Sequence, residues 1–197
     1  MPEQKRPIGV IAEDRTDLDT MRVIIQRILG PNTGVKGKPG GGCARARRKA
    51  GAWLTIMANK GIRRVVILHD LDRNPNNGAL NCHSSLRRTL ERIRVPPNIN
   101  RYICIPVEEL EAWFWSCETT LSSVAGKPTS AAHHPENIIQ PKEALYRLSR
   151  RGRGSRVSHY STNDNPRLAQ SLDLDACAQR CASFEGLRDF LLEHNQV

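Results

Sequence analysis

Short aliphatic runs alternate along this chain with stretches of helical spacing, and this alternation constrains the fold more than any other feature. Residues 8–12, 65–68 and 102–105 are rich in aliphatic and β-branched side chains, which predicts buried strands. Apolar residues in 17–29 and 44–60 recur at the spacing of one helical face. This β-α-β-α-β order predicts an α/β fold in which helices flank a parallel sheet.

The remaining segments are predicted to be loops and helices. Five glycines in residues 34–43 predict a loop, whereas 84–94 and 107–116 have helical spacing. Further helices are expected around 141–150, 173–181 and 183–193, joined by loops rich in Ser, Asn, Arg and Gly. We therefore expect a Rossmann-like core over residues 1–116. A mainly helical C-terminal extension over residues 117–197 should pack on it, forming a single compact unit.

The charge of the chain favours a polyanionic partner. Its 197 residues carry a formal net charge of +10, with an isoelectric point near 9.8. The candidate nucleic-acid-binding residues form two clusters, Arg45, Arg47, Arg48 and Lys49 in the first and Arg150, Arg151, Arg153 and Arg156 in the second. The alternative for each cluster is a solvated face or a linker.

Several classes of protein are disfavoured by the sequence. No segment approaches the roughly 20 apolar residues of a membrane span, and the N-terminal apolar run is too short for a signal peptide. The six cysteines are scattered, which suits a reducing compartment. Proline follows the lysine of both Gly-Lys-Pro segments, where a phosphate loop needs Ser or Thr. We expect a cytoplasmic protein without a membrane partner.

Acidic residues follow the predicted strands at the point where each strand ends. Glu13 follows the first strand, and Asp70 and Asp72 follow the next clear one. Asp17 lies four residues beyond Glu13, one turn into the next helix, and Glu111 follows the third strand. Ligands bind at the carboxyl ends of parallel strands. Because clustered carboxylates repel one another without a cation, these five residues are candidate ligands of Mg²⁺ or Mn²⁺.

The segments VIAED at 10–14 and ILHDLD at 67–72 resemble the Toprim domain of topoisomerases, primases and certain nucleases. With IPVEELEAWF at 105–114, HPENIIQPKEAL at 134–145 and the tail around Ser183 and Phe184, nearly the whole chain resembles a family of small bacterial Toprim-like proteins. That family is filed as a domain of unknown function, family 4276. The motif glutamate is typically followed by glycine, whereas this chain has Asp14, which predicts either a different backbone or an additional acid in the site.

The resemblance implies a Toprim fold and a Mg²⁺-dependent endonuclease or nuclease subunit. Its catalytic residues would be Glu13, Asp70 and Asp72, with Lys142 supplying positive charge to a phosphate. His69 is interpreted as a core or supporting residue rather than a base. Nucleic acid, with DNA favoured over RNA, and an ABC- or SMC-type ATPase of an anti-phage defence system are the implied partners. The alternative is a non-catalytic regulatory subunit that binds nucleic acid or the ATPase, and RNA processing is a third possibility.

Overall fold

The computed structural model describes residues 6–150 and 157–193. In this part of the chain the central sheet is parallel throughout and has the strand order β2-β1-β3-β4. Its strands are β1 (Ile8–Ala12), β2 (Val35–Pro39), β3 (Arg64–Leu68) and β4 (Asn100–Cys104). The predicted α/β class, a parallel sheet flanked by helices with a helical C-terminal region, is confirmed.

Helices cover both faces of the sheet because side chains alternate along each strand. The helices that follow the first three strands are α1 (Arg15–Leu29), α2 (Cys43–Asn59) and α3 (His83–Glu91). Val10 of β1 packs in one apolar cluster with α1 and the C-terminal region. Its neighbour Ile11 packs in the opposite cluster with α2. This alternation is the pattern expected of an internal strand.

The prediction of a loop over residues 34–43 is wrong for half of the segment, which forms β2. This strand pairs only with β1, so it lies at the edge of the sheet, where Pro39 at its end removes no internal hydrogen bond. Gly37 is required by packing, since a Cβ there would lie 2.0 Å from Cδ1 of Leu18. Glycine and lysine replace the aliphatic residues of an internal strand, which is why the sequence pattern concealed it.

The prediction of a helix over residues 107–116 holds only in part. A 3₁₀ helix begins at Leu110 and ends at Ser116, and Glu108 before it adopts a left-handed conformation with φ 61°. The C-terminal region is helical as predicted, but α6 falls in a segment expected to be a loop. Its helices are α4 (Glu118–Ala125), α5 (Pro141–Leu148), α6 (Asn165–Ser171), α7 (Leu174–Arg180) and α8 (Ala182–Leu192).

The C-terminal helices share one apolar core with the sheet. Trp113 of the 3₁₀ helix packs edge-to-face on Phe184 of α8, with ring centroids 5.1 Å apart. The Trp113 indole N–H also donates to Ser183 Oγ at 2.9 Å. Leu168 of α6 joins the same cluster, against α1. None of the helices in the described part of the chain combines the length and hydrophobicity that crossing a bilayer requires.

Candidate metal centre

Two strand ends bring three carboxylates together. Glu13 directly follows β1, while Asp70 and Asp72 lie just beyond β3. Glu13 Oε1 accepts a hydrogen bond from the Asp70 backbone N–H at 3.1 Å. The Sγ atom of Cys43 lies 2.5 Å from Glu13 Oε2 and 3.3 Å from Asp72 Oδ2. At the carboxyl edge of the sheet, Glu13 therefore contacts the backbone of Asp70, and the Cys43 thiol contacts both Glu13 and Asp72.

Asp72 has an uncommon backbone conformation. Its φ is 51°, in the left-handed region that non-glycine residues rarely occupy. The Asp72 N–H donates to the Glu108 carbonyl at 3.0 Å, and the Leu71 N–H donates to the Pro106 carbonyl at 3.1 Å. These bonds continue the pairing of β3 and β4 beyond the strands themselves. Hydrogen bonds to the segment that follows β4 thus hold Asp72 in the left-handed conformation. Uncommon backbone conformations of this kind are frequent at functional sites.

Asp17 approaches the same cluster from the first turn of α1. The helix begins after Asp14, whose side chain caps it by accepting the Asp17 N–H at 2.9 Å. Asp14 is therefore the N-cap of the helix, which accounts for an acid at the position where glycine is typical. Burial raises the pKa of Asp17 to about 7, with further contributions from Asp14, Glu111 and Glu13.

Glu111 reaches the cluster from the 3₁₀ helix and is held by the C-terminal region. Its side chain is buried, and its Oε1 accepts a hydrogen bond from Asn165 Nδ2 at 3.0 Å. The Asn165 Oδ1 accepts in turn from the Tyr160 hydroxyl at 2.6 Å. Burial raises the pKa of Glu111, an effect that the hydrogen bond from Asn165 opposes.

Asp70 is at the electrostatic centre of the site. Burial raises the pKa of its carboxyl group well above the ordinary range, and the charges of Asp17, Glu13, Glu111 and Asp72 raise it further, in that order. One partner stabilises the Asp70 carboxylate, since its Oδ1 accepts the backbone N–H of Leu110 at 3.1 Å. The Asp70 carboxyl group thus interacts electrostatically with the other four acids predicted as metal ligands, and burial is the largest cause of its raised pKa.

His69 and Cys43 also line this site. The His69 ring is 4% exposed, and its Nδ1 lies 2.8 Å from the Asp70 carbonyl oxygen and 3.1 Å from Glu13 Oε1. Its Nε2 is buried and has no hydrogen-bond partner among the described residues. Cys43 is the first residue of α2, directly after the left-handed Gly41 and Gly42. Burial, followed by the nearby Glu13 carboxylate, raises the pKa of the Cys43 thiol.

Lys142, predicted to act on a phosphate, lies at the border of the site. Its Nζ forms an ion pair with Glu109, and its backbone N–H donates to Glu109 Oε2 at 3.2 Å. Burial lowers the pKa of Lys142, but the hydrogen bond with Glu109 outweighs burial and the net shift is upward. The Glu109 carboxylate also satisfies the N-terminal turn of α5, where a lysine alone is unfavourable.

Two clefts flank the first turns of α2. The larger, of about 500 Å³, is lined by the site residues Cys43, His69, Asp70 and Asp72 and by Arg47. The smaller, of about 330 Å³, lies beside the exposed Arg45 and Lys49 and includes Trp53 and Arg15 in its wall. Arg48 is also exposed. The first basic cluster therefore lies beside the acids.

The second basic cluster is described only at its first residue. Arg150 follows α5 and is exposed. Arg151, Arg153 and Arg156 lie outside the described residues.

A family model extends over nearly the whole chain. It is the domain of unknown function DUF4276, and it matches residues 12–192. The chain belongs to the DUF4276 family. Comparison with curated proteins and with solved structures finds no match. The DUF4276 region includes every residue of the acidic site.

The carboxylates of this DUF4276 chain are of the ligand type that a hard divalent cation prefers, but among the described residues the group whose ligand atoms all lie within 4.8 Å of one another is Glu13, Cys43 and His69. Carboxylate oxygens are the preferred ligands of Mg²⁺ and Mn²⁺, and Glu13, Asp70 and Asp72 supply them from two adjacent strand ends. Asp17 and Glu111 are placed to complete the set or to hold water. Burial is the main cause of the raised pKa values of Asp70 and Asp17, and repulsion from the neighbouring acids raises them further when no cation is bound.

Sequence reasoning missed the residues that support this cluster. Cys43 was one of six scattered cysteines, and its position at the start of α2 became significant only once β2 had placed that helix beside Glu13. Asn165 lies 54 residues from its partner Glu111, and no local pattern connects them. By contrast, the sequence did indicate His69 as a core or supporting residue, from its position directly before the Asp-x-Asp segment.

The raised pKa values predict that stability falls as pH rises in the absence of metal. Because their pKa values are raised, Glu13, Asp17, Asp70 and Glu111 keep their protons to a higher pH in the folded chain than in the unfolded chain. From about pH 4 to about pH 7 the folded state therefore binds more protons, and stability declines as pH rises through that window. In EDTA, we expect the Tm to fall by about 4 °C between pH 5 and pH 8, which corresponds to a loss of roughly 1–2 kcal/mol in the free energy of unfolding.

The control variants are Asp17→Asn, which should flatten the decline, and Asp189→Asn on the exposed surface of α8, which should leave it unchanged. Scanning calorimetry of the three proteins at pH 5 and pH 8 measures the change in Tm between the two pH values. A Tm that rises toward pH 8 in EDTA would contradict the electrostatic description of the site.

Proposed function

We propose that this protein is a metal-dependent nuclease or nuclease subunit that hydrolyses nucleic-acid phosphodiesters. The observation that carries the proposal is the half-buried Asp70 carboxyl group, which interacts electrostatically with four other acids. Such a cluster is costly unless a divalent cation compensates its charge. A cluster of carboxylates would weaken a surface that only binds phosphate, because negative charge repels phosphate. The resemblance to Toprim nucleases supports the same chemistry.

Each acid has a role in this proposal. Glu13, Asp70 and Asp72 hold Mg²⁺ or Mn²⁺, which supplies a more acidic bound water and neutralises charge on the phosphodiester. Asp17 is suited to take up a proton from water because its pKa is about 7 in the metal-free chain. Asn165 keeps the Glu111 carboxylate oriented toward the cluster. Lys142, already paired with Glu109, balances charge at the border of the site.

The first basic cluster supplies the nucleic-acid contacts in this proposal. Arg47 lines the same cleft as Asp70, so a phosphate bound there is close to the metal ligands. Arg45 and Lys49 line the second cleft, on the other side of the first turns of α2. A strand that crosses α2 would place successive phosphates in the two clefts, and Trp53 offers a ring on which a base can stack.

Replacing Arg45 and Lys49 together with alanine should weaken binding to nucleic acid of every sequence. The slope of log affinity against log salt should flatten by about one unit per lost phosphate contact. The matched control is the double variant Lys127→Ala and Arg167→Ala, which removes the same charge from exposed positions that line neither cleft. Fluorescence anisotropy at several salt concentrations measures both variants. Equal slopes for the two would place the contact surface elsewhere.

We also propose an ABC- or SMC-type ATPase as partner, in an anti-phage defence system located in the cytoplasm. The support is the resemblance to small Toprim-like proteins. The alternative function, a regulatory subunit without catalysis, keeps the basic surface and leaves the acids without a role.

The decisive experiment incubates the purified chain with labelled single-stranded DNA, duplex DNA and RNA. Each reaction contains Mg²⁺, Mn²⁺ or EDTA and is run with and without the proposed ATPase partner. We expect cleavage with a divalent metal and none with EDTA. Binding without cleavage under every condition would favour the regulatory subunit.

A further inference from the structure

Glu13 contacts two side chains that a magnesium site does not use. One ligand atom each of Glu13, Cys43 and His69 lie within 4.8 Å of one another. A thiol and an imidazole are softer ligands than carboxylate, and together they favour zinc-class ions over Mg²⁺. The carboxyl edge of the sheet thus presents two sets of possible metal ligands, and Glu13 belongs to both.

The spacing of this second set suits tetrahedral coordination. With metal–ligand bonds of about 2.0–2.3 Å, neighbouring ligand atoms in a tetrahedral site lie about 3.3–3.8 Å apart. Asp72 adjoins this set through Cys43, with Sγ and Oδ2 3.3 Å apart, and it would have to move toward Glu13 or His69 to become a fourth ligand. Sγ lies 2.5 Å from Glu13 Oε2, with the thiol proton between them. Replacing that proton with an ion requires the pair to separate by about 1 Å.

His69 faces this donor set through one ring nitrogen. Its Nδ1 lies 3.1 Å from Glu13 Oε1 and 2.8 Å from the Asp70 carbonyl oxygen. A neutral imidazole has one N–H, so an ion bound by Nδ1 places the ring proton on Nε2. Nε2 is buried and has no hydrogen-bond partner among the described residues.

We propose that Cys43, His69 and Glu13, with Asp72, form a binding site for a transition-metal ion of the zinc class. Loading exchanges the Cys43 thiol proton, which passes to solvent, for the ion, and no electron is transferred. Glu13 cannot serve both donor sets at once, so a zinc-class ion and Mn²⁺ exclude each other. That last consequence alone rests on the proposed function, whereas zinc binding itself does not depend on cleavage.

Co²⁺ provides a direct readout, because a thiolate ligand gives Co²⁺ an intense near-ultraviolet charge-transfer band. Titration of the reduced full-length chain with Co²⁺ should produce this band, and Zn²⁺ should remove it. Cys43→Ser should abolish the band. It should also weaken Zn²⁺ binding, measured by competition with a chromophoric chelator, by about 100-fold or more. That loss is larger than the loss expected from removing a residue that only hydrogen-bonds to a metal ligand. The matched control is Cys82→Ser, since Cys82 is an exposed thiol in the same cleft and its loss should leave the band intact.

Circular dichroism establishes that each variant is folded. If Cys43→Ser does not fold, Cys43→Ala and His69→Gln provide the same comparison, and His69→Gln should shift the visible cobalt bands while keeping the charge-transfer band. Absence of the band in wild type, its persistence in a Cys43 variant or its loss in Cys82→Ser would overturn the proposal. An absence of nuclease activity would not, so the two proposals fail separately.

Discussion

Replacing Asp70 with asparagine should lower metal-dependent cleavage by orders of magnitude while leaving the fold intact. The side chains are nearly isosteric, and an amide oxygen in place of a carboxylate oxygen can still accept the Leu110 N–H. The substitution removes one charge from the centre of a repulsive cluster, so the Tm in EDTA at pH 8 should stay level or rise. Cleavage falls because the cation loses a charged ligand, and with it the activation of water and the neutralisation of charge.

The control is Asp189→Asn, the same chemical change at an exposed position of α8. Calorimetry and cleavage with Mg²⁺, measured on both variants with the ATPase present, separate stability from activity. If folded Asp70→Asn cleaves as fast as wild type, the catalytic assignment is wrong and the regulatory-subunit reading replaces it.

Replacing Asn165 with aspartate should destabilise the protein strongly and in a pH-dependent way. Asn165 donates to the buried Glu111 carboxylate, and the substitution puts a second acid against it. An uncompensated buried charge costs about 3 kcal/mol or more, so we expect a loss of that size at pH 8. At pH 5 the loss should be smaller, because the folded state then retains a proton shared by the two acids. Urea unfolding at the two pH values measures the difference.

Two further variants identify the cause of this loss. Asn163→Asp makes the same change at an exposed position and should alter stability by no more than about 0.5 kcal/mol. Adding Glu111→Gln to Asn165→Asp restores an amide–carboxylate pair with the roles exchanged, and it should recover much of the stability. A loss equal at both pH values and not recovered in the double variant would exclude charge repulsion as its cause.

The sequence predicted the part of the site that depends on strand ends. Glu13, Asp70 and Asp72 follow aliphatic runs whose pattern is unambiguous, and parallel strands present their carboxyl ends at a common edge. Asp17 was predicted from its spacing of one helical turn beyond Glu13. These inferences needed only local periodicity and the direction of the chain.

The remaining features depend on contacts between distant segments. β2 escaped prediction because an edge strand packed under Leu18 requires glycine, which in sequence is typical of a loop. The contact of Cys43 with Glu13 depends on where that strand places α2. The hydrogen bond between Glu111 and Asn165 joins the 3₁₀ helix to α6, a helix that the sequence pattern did not reveal.

A divalent cation should bind among the clustered carboxylates. Anomalous diffraction from crystals of the full chain soaked in Mn²⁺ tests this, with Asp70→Asn crystals treated in the same way. We expect an anomalous peak in wild type about 2.2 Å from oxygens of Glu13, Asp70 and Asp72, and a weakened or absent peak in the variant. Well-ordered wild-type crystals that show no peak near these three side chains at saturating Mn²⁺ would refute such a site.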